Sequence, residues 1–586
     1  MFLVLGLAAS GQEMIEFRVN LAGYHPDMPK RALLMSTAEL QDPKVLVKRE
    51  NGDTVCALRA APEANAWPPF AYCYALDLAD LREQGRYFLE LEGPSLRSPV
   101  FELGPYPAWQ EDVVGFIRSQ RCGYNPNIKA YCHQKDGLSF FGMRPDSTHI
   151  DATGGWHDAA DQLKYLITGS NTTARMLMAY QLDPSGFSDR FDARGLPGAN
   201  GLPDVLDEAK WGLEWILKLH PGPGELYHQV ADDRDHRGFK MPDADNADYG
   251  WGANGFRPVY FADGKPQGLS QYKSKATGIA NLAGRSAATL ALGYEVFRAF
   301  GSEEGFASKC LEAALELYAM GRKQEGYQQG NSYGAPYRYE ESTWADDMEW
   351  AAAKLYGVTG EEKFLHEARQ YAEQIGTWSW MERDSAGHYE MYPFVNMGHY
   401  ALWQFGNEAD RKQAAAWYAH NLDRVATRAG QNPYKAGQLF IWCSNNLAAA
   451  VATQALLYEE MTGSRKYRSL LQDHVNWLLG LNPWGTSMIT EIPEGADTPS
   501  DVHMPFWRLK QQAIKGSLVD GPLWASIHGR MLGIALSEPD AYARLQPGHL
   551  VYHDDYMDYS TNEPTLDGSA ELLHILTYMS RHQKPD

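Results

Sequence analysis

No apolar run in this 586-residue chain is long enough to cross a bilayer. Only six cysteines are present, which excludes a disulfide-dense scaffold. Positive charge is scarce as well: 53 Lys and Arg stand against 74 Asp and Glu, for a formal net charge of −21. A chain so acidic offers no basic face to nucleic acid or to an anionic membrane, so neither is expected as a partner, whereas a neutral substrate is compatible. The first residues, Met1-Phe-Leu-Val-Leu-Gly-Leu-Ala-Ala-Ser, have the apolar stretch and small residues of a signal peptide without its basic start. A secreted or periplasmic protein, monomeric, is the expectation. In that setting Cys56 and Cys73 are candidates to pair, while Cys310 and Cys443 sit in apolar helix-like stretches and read as buried thiols.

What is plentiful is aromatic: 17 Trp and 33 Tyr, the residue types whose faces grip the apolar faces of sugar rings. The length calls for more than one domain. From residue 15 to 104, Phe17-Arg-Val-Asn, Arg31-Ala-Leu-Leu-Met, Lys44-Val-Leu-Val-Lys and Arg86-Tyr-Phe-Leu-Glu-Leu alternate apolar and polar residues between turn-forming breaks. This spacing predicts a small β-sandwich of immunoglobulin-like type, placed to pack rather than to bind a sugar chain, since it has no row of Trp. Pro105-Tyr-Pro-Ala ends the pattern. From 109 to 582 the period is helical: Pro203 starts a helix over Asp204–Leu219, and others follow near 276–300, 307–322, 344–356, 361–375, 409–426, 439–461 and 466–479. Many helices joined by long aromatic loops predict a mostly α toroid of paired helices, because simple bundles prefer short connections. The irregular stretch 482–518 is too long for an idle connection.

Two runs carry the chemistry. Gly154-Gly-Trp-His-Asp158-Ala-Ala-Asp161 offers two carboxylates three residues apart, close enough for mutual repulsion to raise one pKa. Some 400 residues on, Tyr552-His-Asp-Asp-Tyr-Met-Asp-Tyr-Ser-Thr-Asn-Glu563 sets a glutamate among aromatics. Carboxyls from two sources suit acid–base cleavage of a glycosidic bond, in which inversion needs the pair roughly 6.5–9.5 Å apart to admit a water. Asp554, Asp555 and Asp558 read as support or surface, and Trp156 and Tyr559 as candidate sugar platforms.

These residues resemble glycoside hydrolase family nine, the inverting cellulases built on an (α/α)6 barrel. The first run is similar to that family's Gly-Gly-Trp-x-Asp-Ala-Gly-Asp motif, with Ala160 in place of Gly. Tyr552, Asp554, Tyr559, Glu563 and Thr565 match its C-terminal signature, with Ser569 in place of Asn. Lys273-Ser-Lys-Ala-Thr-Gly-Ile-Ala and Leu479-Gly-Leu-Asn-Pro-Trp-Gly-Thr-Ser are similar too, and Arg18-Val-Asn-Leu-Ala-Gly-Tyr resembles the immunoglobulin-like domain of one branch. The resemblance implies endo-acting hydrolysis of β-1,4-glucan, with Glu563 as general acid, Asp161 as general base and Asp158 assisting. The family's His-His-Arg run is missing, and His503 and Arg508 are the nearest candidates for its sugar contacts. An exo-acting β-glucosidase or β-glucosaminidase, or a carbohydrate-binding protein without catalysis, stand as alternatives.

Cys122, Cys132, His133 and His157 are candidate ligands of a zinc ion. Their spacing is not that of a zinc finger, and a Cys122–Cys132 disulfide is the competing reading. The resembling branch carries a structural Cys2His2 zinc near its catalytic aspartates, which implies one here. Ser342, Asp346 and Asp347 are similar to a family calcium site, against the plainer reading of a capped helix start. Asp232-Asp-Arg-Asp is a weaker acidic loop of the same kind.

Overall fold

The structure is a computed structural model that describes residues 13–94, 96–387, 389–390 and 394–581. The signal-like start lies outside the described residues, among which no helix is long and apolar enough to cross a membrane.

The first eight strands, β1 (Ile15–Arg18), β2 (Arg31–Ser36), β3 (Lys44–Arg49), β4 (Thr54–Arg59), β5 (Ala61–Pro62), β6 (Tyr72–Asp77), β7 (Gly85–Leu91) and β8 (Phe101–Leu103), form two antiparallel sheets ordered β1-β2-β6-β5 and β4-β3-β7-β8. The period of two along β2 does double duty. Ala32 and Leu34 point into the sandwich's own core, while Leu33 and Met35, with Trp67 and Phe70, join the apolar core of the helical domain. Polar ties reinforce the seam: Arg18 donates to the Pro483 carbonyl at 2.9 and 3.1 Å, and Asn20 Nδ2 to Asn476 Oδ1 at 2.9 Å. The sandwich is a buttress. Its two cysteines do not pair, a correction to the sequence reading. Cys56 is exposed on β4 and Cys73 is buried on β6, in opposite sheets, and both are free thiols.

The helical domain is an (α/α)6 barrel. An outer ring of α1 (Gln110–Ser119), α3 (Asp204–Leu219), α5 (Glu304–Lys323), α7 (Glu362–Ile375), α9 (Glu408–Ala429) and α11 (Arg468–Leu478) surrounds an inner ring of α2 (Leu166–Leu182), α4 (Ala280–Phe297), α6 (Ala345–Thr359), α8 (Met397–Phe405), α10 (Ser444–Thr462) and α14 (Leu566–Arg581). Short helices α12 (Pro505–Lys510) and α13 (Ala525–His528) lie in the loops before α14. The sequence reading missed α1, α2, α8 and α14. Along α2 and α14 apolar and polar positions alike are buried, Thr168, Asn171 and Arg175 among them, so no polar stripe marks an outward face. Arg175 is neutralised by Glu571 of α14 at 2.8 Å. Beside the barrel mouth run β9 (Tyr124–Asn125) with β10 (Ala130–Tyr131), and a sheet of β11 (Asp136–Phe140), β12 (Lys164–Tyr165), β13 (Tyr227–Val230) and β14 (Arg257–Phe261).

Candidate active site and metal centre

The loop 152–165 enters the mouth between β11 and α2 and is held from below. Lys164 Nζ, fully buried, donates to the carbonyls of Ala152 and Gly154 at 2.8 Å each and pairs with Asp136 at 2.7 Å. Gly155 lies flat on Trp215: its φ is +70°, and an added Cβ would come 2.5 Å from the indole. Only glycine serves there. Ala160, by contrast, stands where the family motif has Gly, without a left-handed φ.

The loop and the C-terminal run meet. The Ala160 N–H donates to Glu563 Oε1 at 3.0 Å, and the Leu566 N–H to the Asp158 carbonyl at 2.7 Å. Asp158 is buried, bonded through its two oxygens by the hydroxyls of Thr168 and, at 2.6 Å, Tyr339. Burial first, then the charges of Asp567 and Asp161, push its pKa well above the usual carboxyl range. Asp161 accepts from the Leu163 N–H and faces His236 Nε2, each at 2.9 Å. Glu563 is buried, and among the described residues no cationic side chain lies within ion-pair distance of it. Burial, followed by Asp520 and Asp161, drives its pKa well above the ordinary value. Asp520 is raised likewise by burial, although Cys443 and the Trp442 indole (Nε1 at 2.6 Å) donate to it. Asp158, Tyr337, Tyr339, Trp442, Asp520 and Glu563 line one cavity of about 220 Å³. A larger groove of about 870 Å³, between sandwich and barrel, holds none of the motif carboxylates.

The other expected residues sort unevenly. Tyr559 is half-buried, its ring 5.6 Å from that of Trp442, and its hydroxyl donates to the Leu532 carbonyl at 2.9 Å. His503 stands beside it, 6.1 Å between ring centres, its Nδ1 donating to the Tyr556 carbonyl, and burial lowers its pKa to about 4. Arg508 lies on exposed α12 with its guanidinium 4.8 Å from the Tyr556 ring centre. Trp156 is no sugar platform: the ring is 1% exposed and its indole donates to Glu208 at 2.8 Å. Asp554 accepts from the N–H groups of Ser500 and Asp501, and Asp555 from those of Ser537 and Glu538. His236, Tyr339, Trp442 and Asp520 escaped the sequence reading, since none lies in a patterned run. His236 ends the Asp-Arg-Asp-His stretch singled out only for its acids, in which Asp232 is neutralised by Arg234 at 2.6 Å.

Cys122, Cys132, His133 and His157 converge. Cys122 Sγ is 3.7 Å from His133 Nδ1, Cys132 Sγ 3.8 Å from His157 Nε2, and the two ring nitrogens are 3.3 Å apart. A tetrahedral zinc with bonds of about 2.0–2.3 Å gives edges of roughly 3.3–3.8 Å, so the donor set fits that ion. Both cysteines are free. His133 Nε2 meets Asp245 at 3.0 Å, the kind of outer contact that fixes an imidazole's orientation. Of the calcium candidates, Ser342 Oγ donates to the Glu390 carbonyl, Asp347 is paired with Arg285 at 2.6 Å, and Asp346 is buried, with its pKa raised by that burial.

Buried carboxyls from two distant loops, meeting at the mouth of an (α/α)6 barrel, define a glycoside hydrolase. Residues 106–576 match glycosyl hydrolase family 9, and 12–95 match a cellulase N-terminal Ig-like domain; the chain belongs to glycosyl hydrolase family 9. It is 26% identical to a xyloglucan-specific endo-β-1,4-glucanase of Bacteroides ovatus, covering 95% of this chain and 92% of that one. It is 24% identical to Endoglucanase C of Cellulomonas fimi over 96% of its own length, and spans about half (52%) of that longer protein. The crystal structure of a metagenome-derived family 9 endoglucanase superposes with a TM-score of 0.75 at 25% identity, covering 97% of this chain and 99% of the other.

Proposed function

We propose that the protein is an exported endo-β-1,4-glucanase that hydrolyses cellulose-type chains with inversion. The observation that carries this reading is the contrast between two carboxyls of one site. Glu563 lies buried among acids with its pKa raised well above the ordinary carboxyl value, which favours the protonated form a general acid needs. Asp161 accepts a backbone N–H and faces His236, contacts that fix the direction of its oxygens. Glu563 gives its proton to the glycosidic oxygen as that bond breaks. Asp161 takes a proton from a water, whose oxygen attacks the anomeric carbon from the opposite face, so the new sugar end has inverted configuration. Asp158, fixed by Thr168 and Tyr339, helps hold that water. The half-buried rings of Trp442 and Tyr559 offer faces for a pyranose, and the endo-β-1,4-glucanase of Bacteroides ovatus and the endoglucanase of Cellulomonas fimi agree with a β-glucan substrate.

Cys122, Cys132, His133 and His157 would hold a zinc ion, which when bound supplies a rigid cross-link and no open coordination position. This chain's own bonds carry that rigidity to the site: the His157 N–H donates to the Gln120 carbonyl and the Cys122 N–H to that of Gly155, and His157 and Gly155 lie one and three residues before Asp158.

A second reading is favoured by the excess of acid. Asp158, Asp520 and Glu563 line one small cavity, each with a raised pKa, and an ammonium there would relieve the repulsion. That suits exo-acting removal of glucosamine. A time course on cellohexaose, read by product length and by anomer in NMR, separates the two. Early mixed lengths with inverted anomers support the endoglucanase. Failure on cellohexaose with single-sugar release from chitosan oligomers transfers the reading to the glucosaminidase, and no cleavage of either overturns both.

A further inference from the structure

A second cluster of metal-binding side chains lies outside the hydrolytic machinery. His528 at the end of α13, His553 and Asp558 direct one donor atom each to a common point, all within 4.8 Å of one another. Asp558 Oδ2 is 2.9 Å from His528 Nε2 and 2.6 Å from His553 Nδ1. We propose that these three residues bind a divalent transition-metal ion of the zinc class, clamping the segment 525–548 onto the turn that carries Tyr559 and Glu563.

The geometry supports a ligand set rather than a chance cluster. Two imidazoles and one carboxylate are donors that zinc and its neighbours accept, and three protein ligands leave a fourth position for water. The carboxylate is pre-oriented: Asp558 Oδ1 accepts from Ser560 N–H at 3.0 Å and from its hydroxyl at 2.7 Å, so Oδ2 points at the imidazoles. Asp558 is fully buried, while the side chains of His528 and His553 keep 17% and 14% exposure, a route for an ion from solvent. The far nitrogen of His553 faces Asp540 Oδ2 at 4.0 Å, the outer carboxylate that ligating histidines commonly have. On binding, each imidazole presents a lone pair where an N–H faces Asp558: the proton of His553 moves to the nitrogen beside Asp540, and that of His528 to its own Nδ1.

The site would add to the bonds that Ser537 and Glu538 already make to Asp555. Nearer His528 the segment is mostly exposed, Leu532 being 84% exposed, yet the Leu532 carbonyl accepts from Tyr559. A metal here fixes that carbonyl, and with it the ring facing Trp442.

Elemental analysis of purified protein loaded with Co(II) and dialysed tests this, read together with the visible spectrum. Wild type is expected to hold about two ions per chain, one with thiolate-to-metal charge transfer from the cysteine site and one without it. His528→Ala, on an exposed segment, should lose one ion and keep the thiolate band, and His553→Gln should do the same. Cys122→Ser with Cys132→Ser should lose the band and keep the other ion, so failure of the Cys2His2 site is distinguishable. Two ions retained in both histidine variants, or a wild type whose bound metal all shows the thiolate band, overturns the proposal and leaves a hydrogen-bonded clasp.

Discussion

Glu563 and Glu208 are both buried glutamates, in regions that treat charge in opposite ways. Beneath the catalytic loop, Glu208 meets Arg121 at 2.8 Å, Arg118 at 3.3 Å and the Trp156 indole at 2.8 Å. Burial alone would raise its pKa, but the two guanidiniums outweigh that and hold it below the usual range. At the mouth, Glu563 has a backbone N–H and three acidic neighbours, Asp520, Asp161 and Asp158, and its pKa goes up. The fold can neutralise a buried carboxylate: Asp136 with Arg257 and Lys164, and Glu571 with Arg175, are further cases. At the mouth it withholds the cation. A carboxyl left unpaired in the interior has a chemical rather than a structural reason to be there.

The sharpest test exchanges carboxyl for amide in the two places. Glu563→Gln keeps shape and burial but removes the transferable proton, so kcat should fall about 10²–10⁴-fold with oligosaccharide binding retained. Glu208→Gln strands two guanidiniums in the interior, and unfolding in urea should show a loss of about 3–5 kcal/mol. A stable but inactive Glu208 variant, or an active Glu563 variant, would break the contrast. His236→Ala comes next. It leaves Asp161 with one contact, and the misplaced base should lower kcat by up to about 10²-fold with little change in KM. Burial depresses the His236 imidazole, but Asp161 outweighs it and leaves its pKa raised. The stabilising link is therefore complete below the unfolded histidine value of about 6.5 and fades as pH rises through the folded value. A wild-type advantage over His236→Ala in melting temperature that grew with pH would contradict this pairing.

The sequence announced the sandwich, eight of the twelve barrel helices and the two motifs, because each has a local pattern: alternation, an amphipathic period, or a dense run of functional groups. It concealed what depends on partners far along the chain. The inner helices α2 and α14 are buried all round and lose the polar stripe that reveals α3. Trp156 sits inside a motif but faces away from the cavity, and nothing local says which way a ring turns. The two expected metal sites looked alike as clusters of ligand types. Arg285, about 60 residues upstream of Asp346 and Asp347, pairs with Asp347, and no reading of Ser342-Thr-Trp-Ala-Asp-Asp alone could supply that contact.

The smallest expected effect separates the two glutamates most cleanly, because the two carry opposite signs at pH 7 and both fade on acidification. A carboxyl whose folded pKa is raised penalises the folded state from the unfolded value, about 4.3, upward. Glu563→Gln should therefore melt above wild type at pH 7, by roughly 1–3 °C, and the difference should vanish below about pH 4, where the wild-type carboxyl is protonated in both states. Glu208 has the opposite linkage. Its folded pKa is lowered, so its stabilisation is present above the unfolded value and is lost as pH falls through the folded one. The deficit of Glu208→Gln should then be full at pH 7 and shrink on acidification. Melting curves of the three proteins between pH 4 and 7 measure both signs together. If Glu563→Gln melts at or below wild type throughout, a counter-charge stabilises Glu563 at the mouth, and Glu563 loses its claim to be the general acid.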